Sequence, residues 1–202
     1  QFVSDASHEL KTPIAAIRGH VNLIRRHGQA KPEIIPKSLD YIDTESKKME
    51  ILVNDLLTLG RIERNTEVVK IDLVKIINEV VSEIQSVYPQ KIQTDMPQEL
   101  KYRINSLDFH NIVHNLVENA AKYSPQDSTI VVKLAKNKGQ VSFTVADNGM
   151  GIAPENREKI FQRFFREDTS HSNKVKGSGL GLAIVKAEAD KYHGQIKVTD
   201  NS

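Results

Sequence analysis

The sequence predicts a pair of long α-helices followed by a mixed α/β domain. Over residues 1–62, apolar residues recur every three or four positions, which is typical of amphipathic helices. After residues 61–65 the pattern changes, and stretches that alternate apolar with polar residues lie between further helical stretches. Such an order favours a sheet with helices on one face, an α/β sandwich. We therefore predict a helical domain over residues 1–64 and an α/β domain over residues 65–202.

Composition narrows the possible functions. The chain has 202 residues and a net charge of +2, so no excess of positive charge points to a nucleic-acid partner. It contains no cysteine, which excludes disulfides, thiolate catalysis and cysteine-bound zinc. No apolar run approaches the ~18 residues that a membrane-spanning helix needs, and no signal peptide is apparent. The lack of cysteine suits a reducing compartment. Because the sequence begins inside a helical pattern, we expect a piece of a longer protein.

The first predicted helix, over residues 1–27, carries a histidine on its polar face. At about 100° per residue, His8 and Thr12 fall roughly 160° and 200° away from Leu10. One apolar row lies within roughly 40° of Leu10: Val3, Ala6, Ile14, Ile17, Val21 and Ile24. Two small residues, Ala15 and Gly19, share that open face. Another protein can therefore reach His8, although a lone histidine of this kind is more often only a solvated surface residue.

A second helix is predicted to pack against the first. Gly28 and Pro32 interrupt the pattern, and Pro36 suits the first turn of the next helix. One apolar row is expected to face the first helix: Leu39, Ile42, Ser46, Met49, Val53 and Leu56. A second row widens the apolar surface beyond the needs of one partner: Ile51, Leu52, Leu57 and Leu59. We expect a homodimer to bury it in a four-helix bundle.

The elements of the second domain follow from periodicity and from breaker residues. Asp72 suits the N-cap of a helix that runs to about residue 88, after a strand at 67–71. Further strands are predicted at 91–95, 101–104, 129–135, 140–146 and 195–199. Further helices are predicted at 106–123, 155–163 and 179–192.

Two blocks of this domain have side chains suited to a nucleotide and its metal ion. Asn115, Asn119, Lys122 and Tyr123 share one helix face within about 100°. Amide oxygens suit Mg²⁺ and a lysine suits phosphate, but an ordinary amphipathic helix would also explain the pattern. Residues 147–151 begin with Asp147, whose carboxylate can accept a hydrogen bond from an exocyclic amine, and the alternative is a simple acidic turn.

Two later blocks are suited to phosphate. Phe164 and Arg166 precede a polar stretch, residues 167–176, that we interpret as a hinged lid, although the phenylalanines also suit a core at a helix end. Residues 177–181, Gly-Ser-Gly-Leu-Gly, open a helix whose backbone amides can bind phosphate oxygens. They lack the spacing and the preceding strand of a dinucleotide fingerprint.

The helix that carries His8 and the four sequence blocks that follow it along the chain resemble, in this order, the sensor histidine kinases of two-component signalling. The resemblance covers nearly the whole chain. Residues 8–13, His-Glu-Leu-Lys-Thr-Pro, resemble the H box of that family. The other matches are residues 115–123 to the N box, 147–151 to the first glycine box, 161–164 to the F box and 177–181 to the second glycine box. The resemblance implies an ATP-binding sandwich shared with gyrase-type ATPases.

The resemblance also implies roles for the residues around the histidine. His8 would accept a phosphoryl group from ATP and pass it to an aspartate on the receiver domain of a response regulator. Glu9 would act as base or orient the imidazole, and Thr12 would position water when the enzyme works in reverse as a phosphatase. Asn119, assisted by Asn115, would bind Mg²⁺.

The same resemblance implies which residues contact the nucleotide. Lys122 and Arg166 would contact phosphate, Tyr123 the nucleotide and Asp147 the adenine amine. The remaining positions expected at the nucleotide are Gly149, Gly151, Phe164, Gly177, Gly179, Leu180 and Gly181. We expect a homodimer, and membrane attachment only through segments before the H box, so that these residues form the cytoplasmic portion of a membrane-anchored bacterial sensor.

Two departures and three alternatives accompany this interpretation. The family usually has one more glycine-led strand after residues 195–199, which we expect to be missing here, and it often has tyrosine at Phe165 and glycine at Gln195. An inactive pseudokinase would need altered motifs, whereas all five boxes keep their polar residues. A gyrase-like ATPase would need no phosphoacceptor, and a non-enzymatic dimerisation module would not need Asn119, Lys122 and Arg166.

Overall fold

The computed structural model describes residues 2–62, 67–167 and 177–200. Two short 3₁₀ helices, Pro154–Asn156 and Lys159–Phe161, precede the last α-helix. The other elements are α1 (Phe2–His27), α2 (Ile34–Ile62), β1 (Val69–Asp72), α3 (Leu73–Val87), β2 (Lys91–Asp95), β3 (Lys101–Ile104), α4 (Ser106–Tyr123), β4 (Thr129–Asn137), β5 (Gln140–Ala146) and α5 (Gly181–Lys191). Two long helices followed by an α/β domain confirm the predicted fold class. None of the described helices combines the length and apolarity needed to cross a membrane.

The turn between α1 and α2 needs a glycine. The amide of Gly28 donates to the carbonyl oxygen of Ile24 at 2.8 Å, and a Cβ at this position would lie 2.5 Å from that same oxygen. A side chain would therefore push the last turn of α1 apart. The chain instead reverses direction here and α2 packs against α1.

The predicted apolar rows of α2 are only partly right. Ile42, Met49 and Leu56 are half-buried, but Leu39 and Val53 are 53% and 41% exposed, so the first row does not form a continuous seam against α1. From the second row, Ile51 and Leu57 are exposed, whereas Leu52 and Leu59 are buried against the α/β domain of the same chain. That domain, rather than a second copy, covers these two leucines.

The α/β domain is built on a three-stranded sheet. β4 lies in the middle, parallel to β2 and antiparallel to β5, while β1 pairs with β3 in a separate antiparallel ribbon. Alternate residues of β4, namely Ile130, Val132 and Leu134, are buried, as expected for a strand with one covered face. The helices α3 and α4 contribute the other half of this core, which places the polar face of α4 away from the sheet.

The N-cap predicted for α3 is present. Asp72 accepts hydrogen bonds from the amides of Val74 and Leu100, each at 3.2 Å. One carboxylate thus satisfies a free amide of the helix and fixes the segment that leads into β3.

Three predicted elements differ from the structure. The helix at 155–163 is replaced by the two 3₁₀ helices, because this charged segment offers too small an apolar face to stabilise a longer helix. The strand at 195–199 does not form, since these residues pair with no described strand, and a strand is not stable without a hydrogen-bonded neighbour. The last helix begins at Gly181 rather than at Gly179, whose φ of +73° is incompatible with a helix.

Candidate functional site

His8 lies on an exposed face of α1, as predicted. Its side chain is exposed together with those of Glu9, Thr12 and Ala15. A Cβ built at Gly19 would meet no atom within 4 Å, so the surface two to three turns beyond His8 is open. Another protein or another domain can approach the imidazole along this face.

The polar face of α4 carries the four predicted residues. Asn115, Asn119 and Lys122 are half-buried and Tyr123 is 40% exposed, while the opposite face of the helix is buried in the core. Lys122 is held in place, because its Nζ pairs with Glu118 Oε2 at 2.7 Å. The face is therefore a half-enclosed surface with an oriented cation.

Glu118 is itself held by a tyrosine from the end of α3. The hydroxyl of Tyr88 donates to Glu118 Oε1 at 3.2 Å. Burial, together with the negative charge of Glu118, raises the pKa of Tyr88 to about 12, so the hydroxyl stays a donor throughout the physiological range. Tyr88, Glu118 and Lys122 form a chain of contacts that fixes the lysine.

The start of α5 is packed tightly on α4. Asn115 Nδ2 donates to the carbonyl oxygen of Asn111 at 2.9 Å, which leaves its amide oxygen facing Gly181. A Cβ at Gly181 would collide with that oxygen. The second glycine block therefore lies directly beside the asparagine that we expect near the metal ion.

A backbone hydrogen bond connects residues 161–164, which match the F box, with residues 177–181, which match the second glycine box. Phe164, at a φ of +63°, donates from its amide to the carbonyl oxygen of Gly179 at 2.9 Å. The Ser178 hydroxyl oxygen accepts from the amide of Leu180 at 3.1 Å, and Leu180 is fully buried. Arg166 is exposed, and its Nη1 donates to the carbonyl oxygen of Gly177 at 3.4 Å.

The first glycine block lies next to the end of α4. Asp147 Oδ1 accepts from the amide of Gly149 at 2.7 Å, and a Cβ at Gly149 would lie 3.0 Å from the carbonyl oxygen of Tyr123. Gly151 has a φ of +74°. The fold thus brings Asp147 and Tyr123, which are far apart in sequence, into one neighbourhood.

Two predictions fall outside the described residues. The linker near residues 63–67 is described only from Glu67 onward, and the lid over residues 167–176 is described only at Glu167.

The residues present suit a magnesium ion bound together with phosphate. The described residues contain no group of three or more histidine and acidic side chains arranged around one point. The half-buried amides of Asn115 and Asn119 supply neutral oxygens instead, and Mg²⁺ in such sites takes one or two protein ligands and fills its remaining positions with water and phosphate.

Sequence reasoning missed the residue of α2 that contacts this site. Asp55 Oδ2 accepts from the hydroxyl of Ser178 at 2.5 Å. Burial raises the pKa of Asp55, while the hydrogen bond from Ser178 and the charge of Lys122 act against that rise. No local pattern singles out Asp55 among the polar residues of α2, because its importance depends on which domain lies beside it.

A buried carboxyl on α5 was missed as well. Glu188 is only 1% exposed, and it follows the buried Ile184 by four positions. An acidic residue at the register of an apolar face was the signal that could have identified it.

Comparisons with known proteins agree with this geometry. The family model of the His Kinase A (phospho-acceptor) domain matches residues 1–65, and that of the histidine kinase-, DNA gyrase B- and HSP90-like ATPases matches residues 104–202. The signal transduction histidine-protein kinase ArlS of Staphylococcus haemolyticus is 36% identical over 98% of this chain and 45% of its own length. The sensor histidine kinase YkoH of Bacillus subtilis is 36% identical over 98% of this chain and 44% of its own length.

Solved structures show the same architecture. The histidine kinase AdeS of Acinetobacter baumannii is similar with a TM-score of 0.68 and 22% identity, over 91% of this chain and 86% of that one. The mycobacterial sensor histidine kinase MprB is similar with a TM-score of 0.56 and 28% identity, over 62% of this chain and 80% of that one. The chain spans a little under half the length of the curated relatives that it matches. The five ordered motifs, the fold and these relatives agree with one another. The chain therefore belongs to the sensor histidine kinases of two-component signalling.

Proposed function

We propose that this chain catalyses its own phosphorylation on His8 with ATP and then transfers the phosphoryl group to an aspartate of a response regulator. The observation that supports the proposal is an exposed histidine on one domain together with a half-buried polar surface on the other that carries the residues expected at a nucleotide. That surface consists of the polar face of α4 and of residues 177–181, which meet at Asn115 and Gly181. Membership of the kinase family supports the same reaction.

The proposed reaction is an in-line phosphoryl transfer. A nitrogen of the neutral His8 ring attacks the γ-phosphorus, a nitrogen–phosphorus bond forms, and the bond from phosphorus to the bridging oxygen breaks so that ADP leaves. Glu9 follows His8 directly and is exposed beside it. Its carboxylate would take or hold the proton on the other ring nitrogen as positive charge develops there.

The nucleotide would be held mostly by charge and by backbone amides. Lys122 and Arg166 would neutralise phosphate oxygens, and the amides of residues 177–181 at the start of α5 would donate to them. Asn119, with Asn115 assisting, would hold Mg²⁺, which supplies further neutralisation of the phosphate charge. Tyr123 and Asp147 would contact the base end of the nucleotide, since the two lie in one neighbourhood.

Transfer requires the domains to move or a second protomer to supply the ATP. Leu10 packs against the cluster that contains Leu180, and the helix wheel places His8 on the face of α1 opposite Leu10. The glycine block therefore docks on the side of the hairpin away from His8. A homodimer would place a second ATP-binding domain near His8. It would form through exposed apolar residues of α1 and α2, such as Ile14, Val21, Leu39 and Val53.

The decisive experiment is autophosphorylation with γ-labelled ATP and Mg²⁺. We expect acid-labile, alkali-stable label on the unaltered chain and none on His8→Gln. His27→Gln, which alters an exposed histidine at the other end of α1, is the matched control and should keep full labelling. Label that persists in His8→Gln would contradict the proposal, and ATP turnover without any protein label would favour a gyrase-like ATPase.

We also propose that the chain dephosphorylates its response regulator. Thr12 is exposed one helical turn beyond His8, where its hydroxyl can orient a water toward a phosphoaspartate docked on the face of Ala15 and Gly19. Thr12→Ala should lower the dephosphorylation rate of the labelled regulator at least tenfold, whereas Thr12→Ser should retain it. The labelling of His8 should change little in either variant. Equal dephosphorylation by the alanine variant and the unaltered chain would contradict this role.

A further inference from the structure

A buried carboxyl lies where the ATP-binding domain meets the helical hairpin. Glu188 shares a cavity of about 300 Å³ with α2, and the remaining wall comes from α4. The α2 residues around this cavity are Asn54, Leu57, Thr58, Arg61 and Ile62. One side of the surroundings of Glu188 is therefore supplied by the other domain.

Burial of the Glu188 carboxyl, which has only one hydrogen-bond partner among the described residues, favours its neutral form. Its Oε1 accepts from Asn111 Nδ2 at 2.8 Å, while its Oε2 is buried without a hydrogen-bond partner among the described residues. Lys191, one helical turn beyond Glu188 on α5, forms its ion pair with Asp108 at 2.7 Å. A carboxyl buried in such surroundings is costly to ionise.

Charged groups around Glu188 from every neighbouring element modulate this preference. Burial is the main cause that raises the pKa of Glu188 to about 8, and the negative charge of Asp108 on α4 adds to it. The hydrogen bond from Asn111 and the positive charge of Lys191 on α5 act in the opposite direction. From α2, Arg61 lines the same cavity and would also favour the ionised form, but its side chain is exposed to solvent.

We propose that docking of the ATP-binding domain on α2 is coupled to the uptake of a proton by Glu188, so that a rise in pH releases the domain. Undocking removes the α2 wall of the cavity and lets water reach the carboxyl. The charged form is then hydrated and the proton leaves.

The sign and the range of the effect follow from linkage. The docked state binds the proton of Glu188 more tightly than the undocked state. The resulting stabilisation of the docked state is therefore complete below the ordinary glutamate pKa, and it is lost as pH rises toward the docked pKa of about 8. Between these limits, the docking equilibrium should weaken by up to about tenfold for each pH unit, and it should level off above pH 8.

Energy transfer between two fluorophores tests the proposal on the whole chain. The sequence has no cysteine, so Glu50→Cys on α2 and Lys136→Cys on β4, both exposed, provide two unique labelling sites. An excess of unlabelled chain keeps the labels on single protomers of any dimer. The readout needs no ATP, so it stays valid even if the proposed kinase activity fails.

We expect the docked fraction of the labelled chain to fall between pH 6 and pH 8.5. Glu188→Gln keeps an acceptor for Asn111 but cannot ionise, so its docked fraction should stay constant over that range. Glu188→Leu, which suits the apolar register of α5, should also show no pH dependence and serves if the glutamine variant does not fold. Asp190→Asn, at an exposed position of the same helix, should behave like the unaltered chain.

Two results would overturn the inference. One is a docked fraction of the unaltered chain that does not change with pH. The other is a folded Glu188→Gln or Glu188→Leu variant that retains the pH dependence of the unaltered chain.

Discussion

Two glycines in the candidate site share nearly the same backbone conformation but differ in their surroundings. Gly151 has a φ of +74° and a Cβ there would meet no atom within 4 Å. Gly179 has a φ of +73°, and a Cβ there would lie 3.0 Å from backbone atoms of Phe164. The comparison separates the cost of the left-handed backbone from the cost of the close approach between the two blocks.

We predict that Gly179→Ala is more destabilising than Gly151→Ala. Each substitution forces alanine into a left-handed conformation at a cost of about 1–2 kcal/mol. Only the Gly179 variant must also push the Phe164 backbone away, which should add roughly 1 kcal/mol or more. Urea unfolding of both variants measures the difference in the free energy of unfolding, and equal losses would contradict the contact with Phe164.

For single residues, the sequence predicts those whose chemical role follows from residue type and spacing. The shared face of Asn115, Asn119 and Lys122 follows from helical periodicity alone. The partnership of Ser178 with Asp55 does not, because 123 positions separate them and only the tertiary structure brings them together.

The secondary-structure elements form as predicted wherever local and tertiary signals agree. α3 has an N-cap in Asp72 and an apolar face of Ile77, Val80 and Ile84 at helical spacing, and all three are buried. Its predicted limits are therefore close to the observed ones. Local propensity and burial act on the same residues here, so either signal would have sufficed.

Two of the predictions that were wrong depend on which neighbour supplies the contacts. Residues 195–199 alternate as a strand should, yet alternation does not specify which neighbour completes the hydrogen bonds. The apolar rows of α2 illustrate the same limit. Helical periodicity shows that Leu52 and Leu59 need cover, but whether a second copy or the ATP-binding domain provides it depends on the tertiary structure.

The two domains meet through a small apolar cluster. Leu52 and Leu59 of α2 pack with Leu180 and Ile184, and all four are at most 7% exposed. Because the last two residues flank the start of α5, the surface that docks on the hairpin adjoins the one expected to hold phosphate. The position of the whole ATP-binding domain thus depends on a few side chains.

We predict that Leu59→Ala loosens this docking. Loss of a buried leucine side chain costs roughly 2 kcal/mol or more, equivalent to about a 30-fold change in the docking equilibrium. Hydrogen–deuterium exchange at the amides of residues 180–184 should accelerate accordingly. Leu39→Ala, a 53% exposed position on the same helix, is the matched control and should leave that exchange unchanged. Unchanged exchange in Leu59→Ala would show that the cluster does not hold the domain.

The contact between Ser178 and Asp55 gives the hairpin a thermodynamic influence over the nucleotide. If ATP binds residues 177–181 as proposed, Ser178 lies between two partners, since its hydroxyl donates to Asp55 of α2 and the nucleotide binds to the same segment. By reciprocity, any factor by which docking changes the affinity for ATP is the factor by which ATP changes docking. A signal that rotates α2 by a fraction of a turn would then be converted into a change in nucleotide occupancy before any phosphoryl group moves.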